Sequence, residues 1–79
     1  MKLHLGCGPR HIPGFVHIDV HVASHVDIVG SVAHLPLRDA SASLVYACHV
    51  LEHFDRWEYR NVLAEWFRVI EPGGLLRFA

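Results

Sequence analysis

The residues of this chain best suited to chemistry lie in two short segments near its N-terminus. Gly6 and Gly8 flank Cys7 at the end of an apolar run, and Asp19 follows eleven residues after Gly8 at the end of a second apolar run. Glycines at the carboxyl end of a parallel strand let the backbone approach a ligand closely, and a carboxylate on the next strand can accept hydrogen bonds from ribose hydroxyls. This pairing predicts a nucleotide-binding edge.

The elements that would position these residues can be predicted from the spacing of apolar side chains. Short apolar runs predict five strands, at residues 2–5, 15–18, 26–29, 44–48 and 75–79. The runs are nearly continuous rather than alternating, which favours strands covered on both faces, as in a parallel sheet.

One helix is predicted between Asp55 and Glu71, because apolar residues recur there with helical spacing. Asp55 can cap the start of this helix, and the segment Pro72-Gly73-Gly74 is expected to stop it. We expect the large aromatic side chains of the helix to pack against the sheet; these are Trp57, Trp66 and Phe67.

The crossovers between strands narrow the choice of nucleotide. The predicted helix joins the fourth strand to the fifth, which is the βαβ arrangement. Only residues 9–14 separate the glycine turn from the second strand, and Pro13 and Gly14 oppose a helix there. A dinucleotide-binding Rossmann domain has a full helix at this point and a third glycine that this sequence lacks. A NAD-type Rossmann module is therefore the weaker alternative.

Composition limits the remaining function classes. The 79 residues make one domain, and 52% hydrophobic with 19% charged residues is typical of a globular protein. A net charge of −1 gives no electrostatic footprint for nucleic acid or for an anionic membrane. Because the sequence has neither a membrane-length apolar run nor a secretory signal, it predicts a cytoplasmic protein without a membrane partner.

The histidines suggest a metal site as a further alternative. Eight are present, and His49, Glu52 and His53 match the H-x-x-E-H pattern of zinc proteases. The pattern directly follows an apolar run, and no long segment follows to complete a protease, so we predict no metal site. Neutral histidines in a cluster could still make stability or binding sensitive to pH near 6.5.

Taken in order, the motifs resemble the N-terminal part of a class I S-adenosylmethionine-dependent methyltransferase, of the methyltransferase type 11 kind with a short first helix. The matching pieces are residues 3–8, 17–19, 27–36, 43–54 and 63–76. The resemblance implies a Rossmann-like three-layer α/β/α fold with a mostly parallel sheet in the order 3-2-1-4-5. It makes residues 1–79 a partial S-adenosylmethionine-binding methyltransferase domain, truncated before the last strands of the family.

The same resemblance implies a set of residues that bind S-adenosylmethionine at the carboxyl ends of the strands. Ser31 stands where the family often has aspartate, so its hydroxyl can still hydrogen-bond the adenine amino group but brings no charge. The implied residues are Gly6, Cys7 and Gly8 for the methionine portion, Asp19 for the ribose, Val20, Ser31 and Val32 for the adenine, and His49 on the opposite side.

The implied reaction is methyl transfer to an acceptor. The fourth-strand exit reads Ala47-Cys48-His49-Val50, unlike the Asn/Asp-Pro-Pro-Tyr/Phe segment of enzymes that methylate amino groups on bases. A small-molecule acceptor is therefore expected, and the sequence identifies no catalytic base. A non-catalytic S-adenosylmethionine-binding fragment remains an alternative, and an exposed sheet edge would favour homo-oligomers.

Overall fold

A five-stranded parallel sheet forms the body of the protein in a computed structural model that describes residues 1–48 and 50–78. The strand order is β3-β2-β1-β4-β5, and every pairing is parallel. The order confirms the Rossmann-like arrangement expected from the sequence. The elements are β1 (Lys2–Leu5), β2 (Phe15–Asp19), β3 (Ile28–Val29), β4 (Ala42–Ala47), a 3₁₀ turn (Leu51–His53), α1 (Arg56–Val69) and β5 (Ile70–Phe78).

The hydrophobic core lies between one face of the sheet and α1, the one α-helix of the described residues. Alternate residues of a strand point to opposite faces, so every second residue of β1 and β4 reaches this core. Trp66 of α1 is fully buried there. The core also contains Leu3, Leu5, Ile18, Val32, Leu35, Val45, Ala47, Val50, Val62 and Val69.

Helix α1 begins where the sequence predicts, because the Asp55 carboxylate accepts hydrogen bonds from the backbone N–H groups of Trp57 and Glu58, both at 2.9 Å. The packing predicted for Trp57 and for Phe67 is wrong, since these side chains are 76% and 60% exposed. They lie outside the narrow stripe of the helix that faces the sheet. Within the described residues, no helix is long and apolar enough to span a bilayer.

The sequence predicts that the Pro-Gly-Gly segment stops the helix. In the structure, however, the segment forms no separate turn after the helix. The helix ends at Val69, and β5 begins at once and includes these residues. Pairing with β4 jumps from Ala42 with Ile70 to Leu44 with Leu75, so the segment is a bulge in β5. Ala79, which the sequence assigns to this strand, lies outside the described residues.

Residues 31–41 return from the short strand β3 to β4, and Arg68 of α1 holds them in place. Its guanidinium donates to the carbonyl oxygens of Leu35 and Leu37 at 3.1 and 2.9 Å, and it pairs with Asp39 and Glu65, each at 2.7 Å. The Glu65 carboxylate also accepts from the Leu35 N–H at 2.7 Å. This network fixes the path of the chain after β3.

The opposite face of the sheet carries an unusual buried imidazole. His4 is 1% exposed and stacks on Tyr46 with ring centroids 5.2 Å apart, while its Nδ1 has no hydrogen-bond partner among the described residues. Burial, followed by repulsion from His17, Arg10 and His25, lowers the pKa of His4 below its ordinary 6.5. His4 therefore remains neutral over a pH range in which an unfolded chain would bind a proton.

His4→Phe should stabilise the protein, increasingly so at acidic pH. The change keeps the ring stacking and removes a buried, unpaired nitrogen, which should raise the free energy of unfolding by about 1 kcal/mol at neutral pH. Because the unfolded chain protonates His4 first, its contribution to wild-type stability is lost as the pH falls below about 6.5. Urea unfolding of both proteins at about pH 7.5 and 5.5 checks this; an unchanged difference between them would contradict it.

Candidate functional site

The glycine turn follows β1 and requires both of its glycines. Gly6 and Gly8 have φ angles of +63° and +55°, in the left-handed region that disfavours side chains. The Gly6 N–H donates to the Ile18 carbonyl oxygen at 2.9 Å, which keeps the turn against β2. A Cβ atom on Gly6 would lie 2.5 Å from Cγ2 of Val50. The turn therefore has no room for a side chain at its first glycine.

Asp19 joins the glycine turn to the end of β2. Its Oδ2 accepts a hydrogen bond from the Gly8 N–H at 2.8 Å, and its Oδ1 accepts one from the His21 N–H at 2.9 Å. The side chain is only 7% exposed, and the Cys7 thiol lies 3.9 Å from Oδ2. Each carboxylate oxygen can accept a further bond, so Asp19 can hold the turn and still receive a ligand hydroxyl.

The charge of Asp19 is stabilised by the backbone. Burial alone would raise its pKa, but the N–H groups of His21, Gly8 and Val20 and the nearby His21 side chain outweigh that effect and lower the pKa below its ordinary value. Asp19 is therefore a carboxylate throughout the physiological pH range, which is the form that accepts hydrogen bonds from a diol.

Val32 and Ser31 lie after β3, on the far side of Asp19. Val32 is 7% exposed, and its carbonyl oxygen accepts a hydrogen bond from Nε1 of Trp66 at 2.9 Å. The Ser31 hydroxyl accepts from the Ala33 N–H at 3.1 Å, which shapes the local turn. The indole of α1 thus determines the position of the segment after β3.

These segments surround a cavity of about 350 Å³ at the carboxyl ends of the strands. This is the edge at which open parallel sheets bind ligands. The wall on the side of β4 is the 3₁₀ turn, which the His53 and Phe54 N–H groups close on the carbonyl oxygens of Val50 and Leu51. The described residues of the wall are Gly6, Gly8, Asp19, Val20, His21, Val32, Val50, His53 and Phe54.

Of the residues implied by the resemblance, five lie together in this wall: Gly6, Gly8, Asp19, Val20 and Val32. Cys7 is buried and borders a second groove on the other side of the glycine turn, while Ser31 is exposed beside Val32. His49 lies outside the described residues.

Sequence reasoning did not assign four further wall residues to the site. Val50 and Phe54 supply apolar surface, and His21 and His53 supply imidazoles. One signal was available: Asp55 caps α1, so the chain between β4 and Asp55 must pass over the strand ends. The sequence does not reveal which of those side chains turn inward.

The arrangement suits a ligand with an apolar ring and a diol. Val20, Val32 and Phe54 can contact a flat ring, and the buried carboxylate of Asp19 can accept hydrogen bonds from hydroxyl groups. The backbone at Gly8 lets part of the ligand lie close to it, because nothing lies within 4 Å of a Cβ atom placed there. In residues 1–48 and 50–78, no group of three or more His, Cys, Asp or Glu side chains could hold a metal ion.

Comparisons with known proteins agree with the resemblance found in the sequence. The family model described as "Methyltransferase domain" matches residues 3–78. A protein of Mycolicibacterium smegmatis named as a probable S-adenosylmethionine-dependent methyltransferase is 44% identical over 46 residues, which are 58% of this chain and 17% of that protein. The match therefore spans less than a fifth of that relative's length.

A solved structure shares the fold. A protein of Methanococcus maripaludis, classed as an S-adenosyl-L-methionine-dependent methyltransferase, superposes with a TM-score of 0.74 at 16% identity. The superposition covers 99% of this chain and 46% of that chain. At this identity the likeness shows the fold alone, and this chain spans about half of that larger domain.

Proposed function

Because this chain belongs to the methyltransferase domain family, we propose that its strand-end cavity binds S-adenosylmethionine and that it serves methyl transfer to a small-molecule acceptor. The observation that carries this proposal is Asp19, a buried carboxylate that holds the glycine turn and faces a cavity with apolar walls. The cofactor's ribose diol matches the carboxylate, and its adenine ring matches the apolar wall.

The residues present fit the cofactor. Asp19 would accept hydrogen bonds from the ribose hydroxyls, while Val20, Val32 and Phe54 would contact the adenine. The backbone at Gly6 and Gly8 would border the methionine portion, where a side chain would take up space. The named relatives are described as acting with the same cofactor.

The bound cofactor would supply an electrophilic methyl group on a sulfonium. The chain's own contribution is to hold the reacting groups in line and to exclude water from them. Val50 and Phe54 form an apolar part of the cavity wall, which would serve the second purpose. We assign no general base, because a base is needed only where the acceptor must lose a proton.

The acceptor is proposed to be a small molecule rather than a nucleic acid. With seven Lys and Arg against eight Asp and Glu, the chain lacks the excess of basic residues that binding a phosphate backbone requires. Two imidazoles line the cavity, those of His21 and His53, and they can donate hydrogen bonds to a polar methyl acceptor.

Calorimetric titration with S-adenosylhomocysteine, with NAD in parallel, tests the proposal. We expect S-adenosylhomocysteine to bind and NAD not to bind. Asp19→Asn should lower the affinity by roughly 10- to 100-fold, because hydrogen bonds to a charged group are worth about 1.5–3 kcal/mol. Circular dichroism establishes whether the variant is folded. Binding of NAD in preference to S-adenosylhomocysteine, or no binding of either, would overturn the proposal.

Two matched valine variants test the location of the binding site if Asp19→Asn does not fold. Val20 is 60% exposed in the cavity wall, and Val22 is 85% exposed two residues further on, outside that wall as described. Val20→Glu places a charge against the adenine site and should weaken binding at least roughly tenfold. Val22→Glu should leave it unchanged. Equal affinities for the two variants would show that the ligand binds elsewhere.

A further inference from the structure

Four imidazoles form a continuous cluster beside the glycine turn. His4 and His17 are neighbours on β1 and β2, with ring centroids 5.2 Å apart. His11 and His25 come from the loops on either side of β2, with their centroids 5.0 and 5.9 Å from that of His17. Half of the eight histidines of the chain are therefore concentrated at one place, and the proposed methyl-transfer chemistry uses none of them.

The hydrogen bonds of His17 define which of its nitrogens carries the proton. The ring is 1% exposed, and its Nε2 lies 2.9 Å from the backbone N–H of Ile12. Because that N–H can only donate, Nε2 must be the unprotonated acceptor. The proton is then on Nδ1, which lies 3.4 Å from Oδ2 of Asp27. The neutral ring thus accepts a partly buried hydrogen bond from the loop of residues 9–14.

Protonation of His17 is incompatible with that bond. A cationic imidazole has N–H groups at both nitrogens, so Nε2–H would face the N–H of Ile12. The two donors repel, and Ile12 must move away or rotate. Ile12 lies four residues after Gly8 in the loop that leads to β2, and its own carbonyl oxygen accepts from the Phe15 N–H at 3.3 Å. Releasing Ile12 therefore disturbs the segment attached directly to the glycine turn.

His25 couples the cluster to the turn itself. Its Nε2 lies 2.6 Å from the carbonyl oxygen of Gly8, which can only accept, so His25 donates there whether neutral or cationic. His25 can thus become charged without losing its bond, in contrast to His17. A charge on His25 or on the stacked ring of His11 would repel a charge on His17 through the short ring separations.

The surroundings of His17 contain charges of both signs. Asp27 is held ionised, its pKa lowered first by the hydrogen bond from the backbone N–H of His17, and its Oδ2 also lies 3.4 Å from Nδ1 of the His17 ring. Burial, followed by repulsion from His17, Arg10 and His25, keeps the pKa of His4 low. The other titratable groups around the cluster are Asp19, Tyr46, Cys7 and Cys48.

We propose that His17 is a pH-sensing residue: its protonation breaks the bond to Ile12, releases the 9–14 loop and loosens the glycine turn, so that the cofactor cavity loses affinity as the pH falls. The consequence for affinity rests on the proposed function, whereas the release of the loop does not. The device regulates the binding site without any of its sensing residues contacting the ligand.

The first test uses the full chain without a ligand. Nuclear magnetic resonance follows the His17 ring C–H signal and the Ile12 amide signal between about pH 7.5 and 5.5. We expect the two signals to shift with the same midpoint and the protection of the Ile12 amide against solvent exchange, taken relative to its intrinsic exchange rate at each pH, to fall as the pH falls. The proposal is overturned if His17 does not titrate in this range, or if it titrates while Ile12 stays unchanged.

The second test measures S-adenosylhomocysteine affinity across the same pH range. Wild-type affinity should fall roughly three- to tenfold. His17→Gln should be nearly independent of pH, because the glutamine oxygen can accept from Ile12 and takes up no proton. His34→Gln, at an exposed histidine outside the cluster, should keep the wild-type dependence. A wild-type affinity that does not change with pH refutes the switch, whereas no binding at any pH refutes the proposed function and leaves the coupling of His17 to Ile12 intact.

Discussion

Gly6→Ala is expected to destabilise the protein by about 2–5 kcal/mol. The φ angle of +63° is in the left-handed region, which costs a residue with a side chain about 1–2 kcal/mol. The added methyl group would also lie 2.5 Å from Cγ2 of Val50, and overpacking of this kind costs about 1–3 kcal/mol. A chain of this size is stable by only roughly 4–12 kcal/mol, so this one methyl group removes a large share of the stability.

Gly8→Ala separates the two causes. Gly8 has a similar φ angle of +55°, but nothing lies within 4 Å of a Cβ atom placed there. Gly8→Ala should therefore lower the free energy of unfolding only by the cost of the backbone conformation, about 1–2 kcal/mol. Urea unfolding measures both variants, and a double-mutant cycle with Val50→Ala should show a coupling of about 1 kcal/mol or more for Gly6. Equal losses at the two glycines, with no coupling to Val50, would refute the close contact.

Trp66→Phe is expected to have the second large effect, lowering the free energy of unfolding by about 2–3 kcal/mol. The indole is fully buried, and its Nε1 donates to the Val32 carbonyl oxygen at 2.9 Å. Phenylalanine keeps most of the apolar contact but leaves that oxygen buried without its partner, which costs about 1–3 kcal/mol, and leaves a small void. Because Val32 lies in the cavity wall, affinity for S-adenosylhomocysteine should fall as well.

The same substitution at Trp57 is the control. Trp57 lies in the first turn of the same helix and is 76% exposed, so Trp57→Phe should change the stability by less than about 0.5 kcal/mol. Unfolding is followed by far-ultraviolet circular dichroism, because these two residues are the only tryptophans and both dominate the fluorescence. A similar loss at both positions would contradict the attribution of the Trp66 effect to burial and to the bond with Val32.

The strands could be predicted because apolar runs mark them, and their order because the motifs resemble those of a known family. The ends of some strands differ from the predicted ends, because backbone pairing determines where a strand begins and ends. The third strand is only Ile28–Val29, since Val26 is bonded to Ala23 in a turn at 3.0 Å. The bulge at Pro72-Gly73-Gly74 is likewise set by pairing with β4, which the composition of the segment does not reveal.

The sequence predicts only those residues of the candidate site that belong to recognisable motifs. The glycines and Asp19 come from a recognisable segment, and the structure brings them together with Val20 and Val32. Val50 and the histidine cluster depend on register: His4 meets His17 because β1 pairs with β2 residue for residue. Contacts between residues distant in sequence, such as the indole of Trp66 with Val32, leave no local signature in the chain.

The most direct test of the central claim is a map of amide shifts on adding S-adenosylhomocysteine to the isotope-labelled chain. A second cavity, of about 360 Å³, lies on the sheet face that α1 leaves uncovered and is separate from the groove beside Cys7, so the map distinguishes binding at the strand ends from binding there. We predict that the amides of Gly6, Gly8, Val20, Val32 and Phe54 shift. Shifts concentrated at Phe15, Leu44 and Arg77 of the second cavity, or no shifts at all, would contradict the account.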